Sequence, residues 1–211
     1  MTKSISERKK ESMSSQDVLE WLFELGIEFE QIACSEIWSK FKIILLMVYI
    51  DIFSQLWWDY FEMNTINTTQ KNKFSSWLEK FLFDESNSTF VTQKFEFIGL
   101  NGEILYKIRN SLLHFSSLPN LESTPIFIST YSRREFYDNY SDTVVNDAAI
   151  VLSPKILFPA IAHAFGNSIK QLESDIESSP ISQKNIILNR ISIRLQKESA
   201  RAIRGANIIE H

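Results

Sequence analysis

From Ile43 the chain reads IILLMVYIDIFSQLWWDYF, and no other stretch constrains its fold as much. The unbroken apolar part, Ile43 to Ile50, is far shorter than the roughly 20 residues a bilayer-spanning helix needs. Asp51, Gln55 and Asp59 follow at helical spacing and form one polar stripe. The segment predicts a long core helix over about 36–63, apolar around most of its circumference. Such a helix must be covered on several sides, by its own domain or by a second subunit. No membrane association is expected.

The remaining sequence supplies the covering elements. Five Gly and five Pro in 211 residues favour long regular elements over a turn-rich β fold. Residues 1–14 are polar and charged and read as a disordered N-terminal tail; 15–211 read as one helical domain. An amphipathic segment runs from Gln16 to Glu30. A second helix is predicted over 67–83, where Phe74, Trp77, Leu78 and Phe81 fall at i, i+3, i+4 and i+7. Gly99 and Gly102 bracket a turn before the helix LYKIRNSLLHF at 105–115. PIFIST and DAAIVLS read as short strands, with the polar loop YSRREFYDNYSDT between them. They predict a small two-stranded β appendage near 125–152. Ser153 is an N-cap with Pro154 at the first helical position, and Pro159 marks a kink or a later start. A last helix is expected from Ser179 to about Ile208. The fold class is an all-α bundle with that β appendage.

Composition narrows the chemistry. The single cysteine, Cys34, rules out an internal disulfide, and no secretory signal is visible, so the expected compartment is a reducing cytoplasm. A net charge of −4 argues against nucleic-acid binding by the whole surface, though not against a local basic face. The chain has no glycine-rich phosphate loop, HExxH, CxxC or G-x-S-x-G pattern. Its three histidines are scattered, so neither a metal nor a cofactor is expected.

The helix at 105–115 carries polar groups in an apolar setting. With Ile108 at the centre of a helical projection, Ile104, Leu105, Leu112 and Phe115 fall within roughly 60° and define the core face. Asn110 and His114, four apart, share one flank of the far side, and Arg109 lies roughly 140° from His114. Tyr106 and Leu113 lie between them. A second face this apolar predicts a homodimer that buries Tyr106, Leu113 and part of the long helix. Arg109 and His114 both lie off the core face, so replacing either is expected to leave the fold intact.

Arg109-Asn110-Ser111-Leu112-Leu113-His114 resembles the R-x4-6-H motif of the HEPN superfamily, whose members often place Asn directly after the Arg. The motif-level similarity spans about ten residues, and the order of helices extends it loosely over 36–178. The resemblance implies a helical bundle, commonly dimeric, and metal-independent cleavage of RNA with Arg109, Asn110 and His114 at the site. In that chemistry the ribose 2′-oxygen attacks the adjacent phosphorus, and an imidazole can move the proton near neutral pH. A guanidinium can hold the charge that gathers on the non-bridging oxygens. An antitoxin partner is among the expectations. One departure from part of the family is Ser116, two after His114, where some toxins carry a modifiable tyrosine. The alternative is a catalytically silent helical dimer that binds a protein or a nucleotide, with Arg109 in a salt bridge and His114 a surface imidazole.

Three further features of the sequence bear on function. In NRISIRLQKESARAIRGAN, Arg190, Arg194, Lys197, Arg201 and Arg204 fall within roughly 80° of arc. Such a stripe can track a phosphate backbone. Its ordinary role is a solvated face paired with the acidic ESDIES of the preceding helix. Asp51 either pairs with Arg109 or lies on a polar flank of the long helix, and the flank is the expectation. His163, in AIAHAF, is expected to be a core or interface histidine.

Overall fold

The long apolar segment forms α2 (Ser39–Phe61), and the other elements are arranged around it. The structure, a computed structural model, describes residues 15–61, 69–121, 124–140, 149–181, 184–186 and 189. In chain order they form α1 (Ser15–Cys34), α2, α3 (Gln70–Phe81), α4 (Ser88–Thr92) and a 3-10 turn (Lys94–Phe97). Then follow α5 (Gly102–Phe115), β1 (Ile126–Ile128), α6 (Arg133–Tyr140), β2 (Ile150–Leu152) and α7 (Pro154–Ser178). Helix α2 packs against α1, α3, α5 and α7, which accounts for its apolar circumference. Ser39–Trp58 would be long and apolar enough to cross a membrane by length and composition alone. Here Ile43, Leu46, Met47, Ile50 and Phe53 of that stretch are buried in the protein core.

Aromatic rings tie the layers together. Phe53 of α2 stacks on Phe165 of α7, with centroids 3.8 Å apart, and lies 5.8 Å from Phe29 of α1 and 5.9 Å from Trp77 of α3. One side chain thus bridges four helices, and Phe53→Ala should cost about 3–5 kcal/mol. Helix α3 presents Phe74, Trp77, Leu78 and Phe81 to the core, as the spacing predicts. It begins at Gln70 because the Thr69 hydroxyl accepts the Asn72 N–H at 3.2 Å.

The two short strands exist and pair in parallel, Ile126 with Ile150 through Ile128 with Leu152. The sheet is small but not peripheral, since Ile150 and Leu152 belong to the main core. A parallel pair needs a long crossover, and the stretch expected to be a loop supplies one that contains helix α6. Its start is a reciprocal capping box. The Ser132 N–H donates to Glu135 Oε2 at 2.8 Å, and the Glu135 N–H donates to Ser132 Oγ at 3.2 Å. Arg133 behind it is 2% exposed, between the rings of Phe95 and Tyr137 at 4.7 and 4.8 Å.

Helix α7 starts at Pro154 as predicted, although the buried Ser153 side chain makes no capping bond. Pro159 lies inside it, so the helix neither breaks nor starts late there. Beyond Ser179 few residues are described. The basic stripe of Arg190, Arg194, Lys197, Arg201 and Arg204 lies outside the described residues, as does the 1–14 tail.

Candidate functional site

Helix α5 is fixed at both ends. At its start the Asn101 side chain accepts the Ile104 N–H at 2.8 Å, and the Gly102 N–H donates to Glu79 Oε1 of α3 at 2.7 Å. Gly102 is required there, because a Cβ would sit 2.7 Å from the Ser75 carbonyl oxygen of α3. At its end Ser116 takes a left-handed conformation, φ 52°, and its N–H donates to the Leu112 carbonyl at 3.1 Å. The Ser116 carbonyl accepts Lys40 Nζ of α2 at 2.6 Å. The motif helix is thus held between α3 at its start and the first turn of α2 at its end.

The core face is formed by Leu105, Ile108 and Leu112, all buried. Ile104 is half-buried at its edge. Phe115 does not belong to it: the backbone turns at Ser116, and the ring is 76% exposed. The far face also differs from expectation. Tyr106 is half-buried and meets Phe74 of α3 edge-on, centroids 5.5 Å apart, so its own chain already covers much of it. Leu113 is half-buried as well.

Arg109 reaches back to α2. Its Nη2 donates to Asp51 Oδ2, and its Nη1 donates to Asn110 Oδ1 at 2.7 Å. Asp51 Oδ2 also accepts Gln70 Nε2 of α3 at 3.0 Å. The Arg109 and Asp51 side chains are each 11% exposed. Asp51 is therefore no polar-flank residue; it interrupts the apolar run because it faces the motif helix. The expectation that Arg109 can be replaced without cost to folding falls with it, since removing the guanidinium would strand a buried carboxylate. Asp51 Oδ1 and Arg109 Nε have no hydrogen-bond partner among the described residues. The guanidinium carbon stands 5.9 Å from the Tyr106 ring centroid, near the outer limit for a cation–π contact.

Asn110 joins this cluster through Arg109, not through the imidazole four residues on. His114 is exposed in the last turn, its ring 6.3 Å from that of Phe115. The structure thus brings Asp51, Gln70, Arg109 and Asn110 together and leaves His114 apart from them at the helix end. Gln70 and Lys40 escaped sequence reasoning. Each acts through a partner far along the chain, and neither stands in a local pattern. His163 is half-buried with Nδ1 3.0 Å from Asn87 Oδ1, linking α7 to the start of α4. No group of three or more His, Cys, Asp or Glu able to hold a metal occurs among the described residues. Comparison with family models, curated proteins and solved structures finds no match to this chain.

Proposed function

We propose that the chain is a HEPN-like, metal-independent endoribonuclease that acts as a homodimer in a reducing cytoplasm. The observation that carries the proposal is the polar cluster set into an apolar helix pair, with Asp51 of α2 fixing the arginine of an Arg-Asn-x3-His helix. A buried ion pair is a poor device for stability alone, because well-packed apolar residues often do as well or better. A preorganised guanidinium and an exposed imidazole five residues further along the same helix have a chemical use. The ribose 2′-oxygen attacks phosphorus, the bond from phosphorus to the 5′-oxygen breaks, and the products are a 2′,3′-cyclic phosphate and a 5′-hydroxyl. His114 of one protomer accepts the 2′-hydroxyl proton while water protonates the leaving 5′-oxygen, and the second copy supplies the guanidinium. Arg109 stabilises the charge on the non-bridging oxygens through donors left over from Asp51 and Asn110. Arg190, Arg194, Lys197 and Arg201 are the proposed contacts to phosphates farther along the RNA.

One observation favours a second reading. With its side chain 11% exposed and already paired, Arg109 is placed as a structural arginine would be. A silent helical dimer that binds a protein, such as an antitoxin, or a nucleotide would show the same geometry. Incubation of RNA with the wild-type chain in excess EDTA separates the two. The nuclease reading expects cleavage with the product ends above and loss of most of it in His114→Ala. Intact RNA with wild type counts against the nuclease and favours the second reading.

A further inference from the structure

Two pairs of exposed rings stand on the segments where α2 begins and α5 ends, which the Lys40–Ser116 bond holds together. Trp38 is 79% exposed and Phe41 54% exposed, with ring centroids 6.4 Å apart. Phe115 is 76% exposed and His114 is exposed beside it, with centroids 6.3 Å apart. Lys40, between Trp38 and Phe41 in sequence, joins the two couples through the 2.6 Å bond from its Nζ to the Ser116 carbonyl. That bond occupies one of three ammonium donors and leaves the positive charge in place. Lys40 has no carboxylate partner among the described residues.

Leaving a tryptophan and two phenylalanines in water forgoes a large hydrophobic gain. The chemistry of the patch says what it fits. Its members are exposed planar rings and a lysine, and a single-stranded nucleic acid offers bare base faces on an anionic backbone. A duplex hides those faces. We propose that Trp38, Phe41 and Phe115 form a stacking platform for the bases of a single strand, with Lys40 on the intervening phosphate. The platform deepens the nuclease reading. It would hold the bases beside the phosphate that His114 serves, and so select unpaired RNA. The stacking itself needs no cleavage.

A labelled deoxyoligonucleotide of about 12 nucleotides tests it, because without a 2′-hydroxyl it cannot be cut by this route. The wild-type chain should bind the single strand more tightly than a duplex of equal length. Trp38→Ala and Phe115→Ala should each weaken binding by about 5- to 150-fold, the range of one lost base–aromatic stack. Their thermal melting should not change, since both rings are exposed. Lys40→Gln should lower the slope of log affinity against log salt by about one. The platform is overturned if the wild type does not bind the strand, or if the ring variants bind as the wild type does. It is also overturned if those variants convert a dimer to a monomer, which would make the patch a self-interface. Ring-dependent binding together with intact RNA would remove the nuclease reading and keep the platform. RNA cleavage with ring-independent binding would do the reverse.

Discussion

Asp51 and Arg109, 58 positions apart, form an ion pair between α2 and α5 with both side chains almost withdrawn from solvent. Removing one partner leaves a charge in a poorly solvated place, so Asp51→Leu or Arg109→Met alone should cost about 3–5 kcal/mol. The double substitution should cost clearly less than the sum, because neither charge is then stranded. Urea unfolding of the four proteins measures the difference. Strict additivity would mean that the pair contributes no coupling. Arg109→Lys keeps the charge but loses the two-sided grip on Asp51 and Asn110, and should fall between wild type and Arg109→Met.

Gly102 sets how closely α5 can approach α3. A methyl group there would meet the Ser75 carbonyl oxygen at 2.7 Å and its Cα at 2.8 Å, and both belong to a helix backbone that cannot swing aside. Ala is the better helix former by about 1 kcal/mol, so propensity alone would make Gly102→Ala stabilising. The expected outcome is the reverse, a loss of about 1–3 kcal/mol from overpacking. A raised melting temperature would show that α5 can tilt away from α3 without cost.

The capping box of α6 should give stability an acid limb. Lys155, at 2.7 Å, and Ser132 hold the Glu135 carboxyl down to about 2 from its usual 4.5. A carboxylate lowered in the folded state stabilises it fully above the unfolded value, and that contribution disappears as pH falls toward the folded one. Between about pH 4.5 and pH 2 the wild type should therefore lose stability more steeply than Glu135→Gln. Ser132→Ala removes the other half of the box and should cost about 1 kcal/mol at neutral pH. Parallel pH profiles for wild type and Glu135→Gln would sink the assignment.

How much of this was legible in the chain depends on where the information lies. Helices α2, α3, α5 and α7 carry apolar residues at helical spacing, so a projection along the axis finds them and names Leu105, Ile108 and Leu112 as core. Helix α6 has few apolar residues, and its strong local signal is Ser132 followed three later by Glu135, in a stretch whose polarity reads as a loop. Phe115 projects to the core face, but a projection gives an angle and not a depth, and in the last helical position before Ser116 its ring stays exposed. Asp51 was misread for a different reason. The projection gives its angle on α2 but not which neighbour lies at that angle, and the partner is fixed only when α5 docks. Likewise the far face of α5 looked open because nothing local announces that Phe74 of α3 covers Tyr106.

The assembly prediction follows from the angle on α5 and from where its groups now stand. Arg109 turns inward to α2 while His114 stands exposed in the last turn, roughly 140° around the axis. One helix cannot aim both at a single phosphorus, but a two-fold dimer can bring one group from each copy into a common cleft. On the proposed ribonuclease reading, activity should therefore depend on protein concentration. In sedimentation or light scattering the mass should pass from two chains to one as the protein is diluted, and specific activity should fall over the same range. His114→Ala should keep the dimer mass, because that ring is exposed on the helix end, yet lose about 10²–10⁴ in rate. A protein that stays monomeric at every concentration and still cleaves RNA at an undiminished rate would remove the shared cleft from the mechanism.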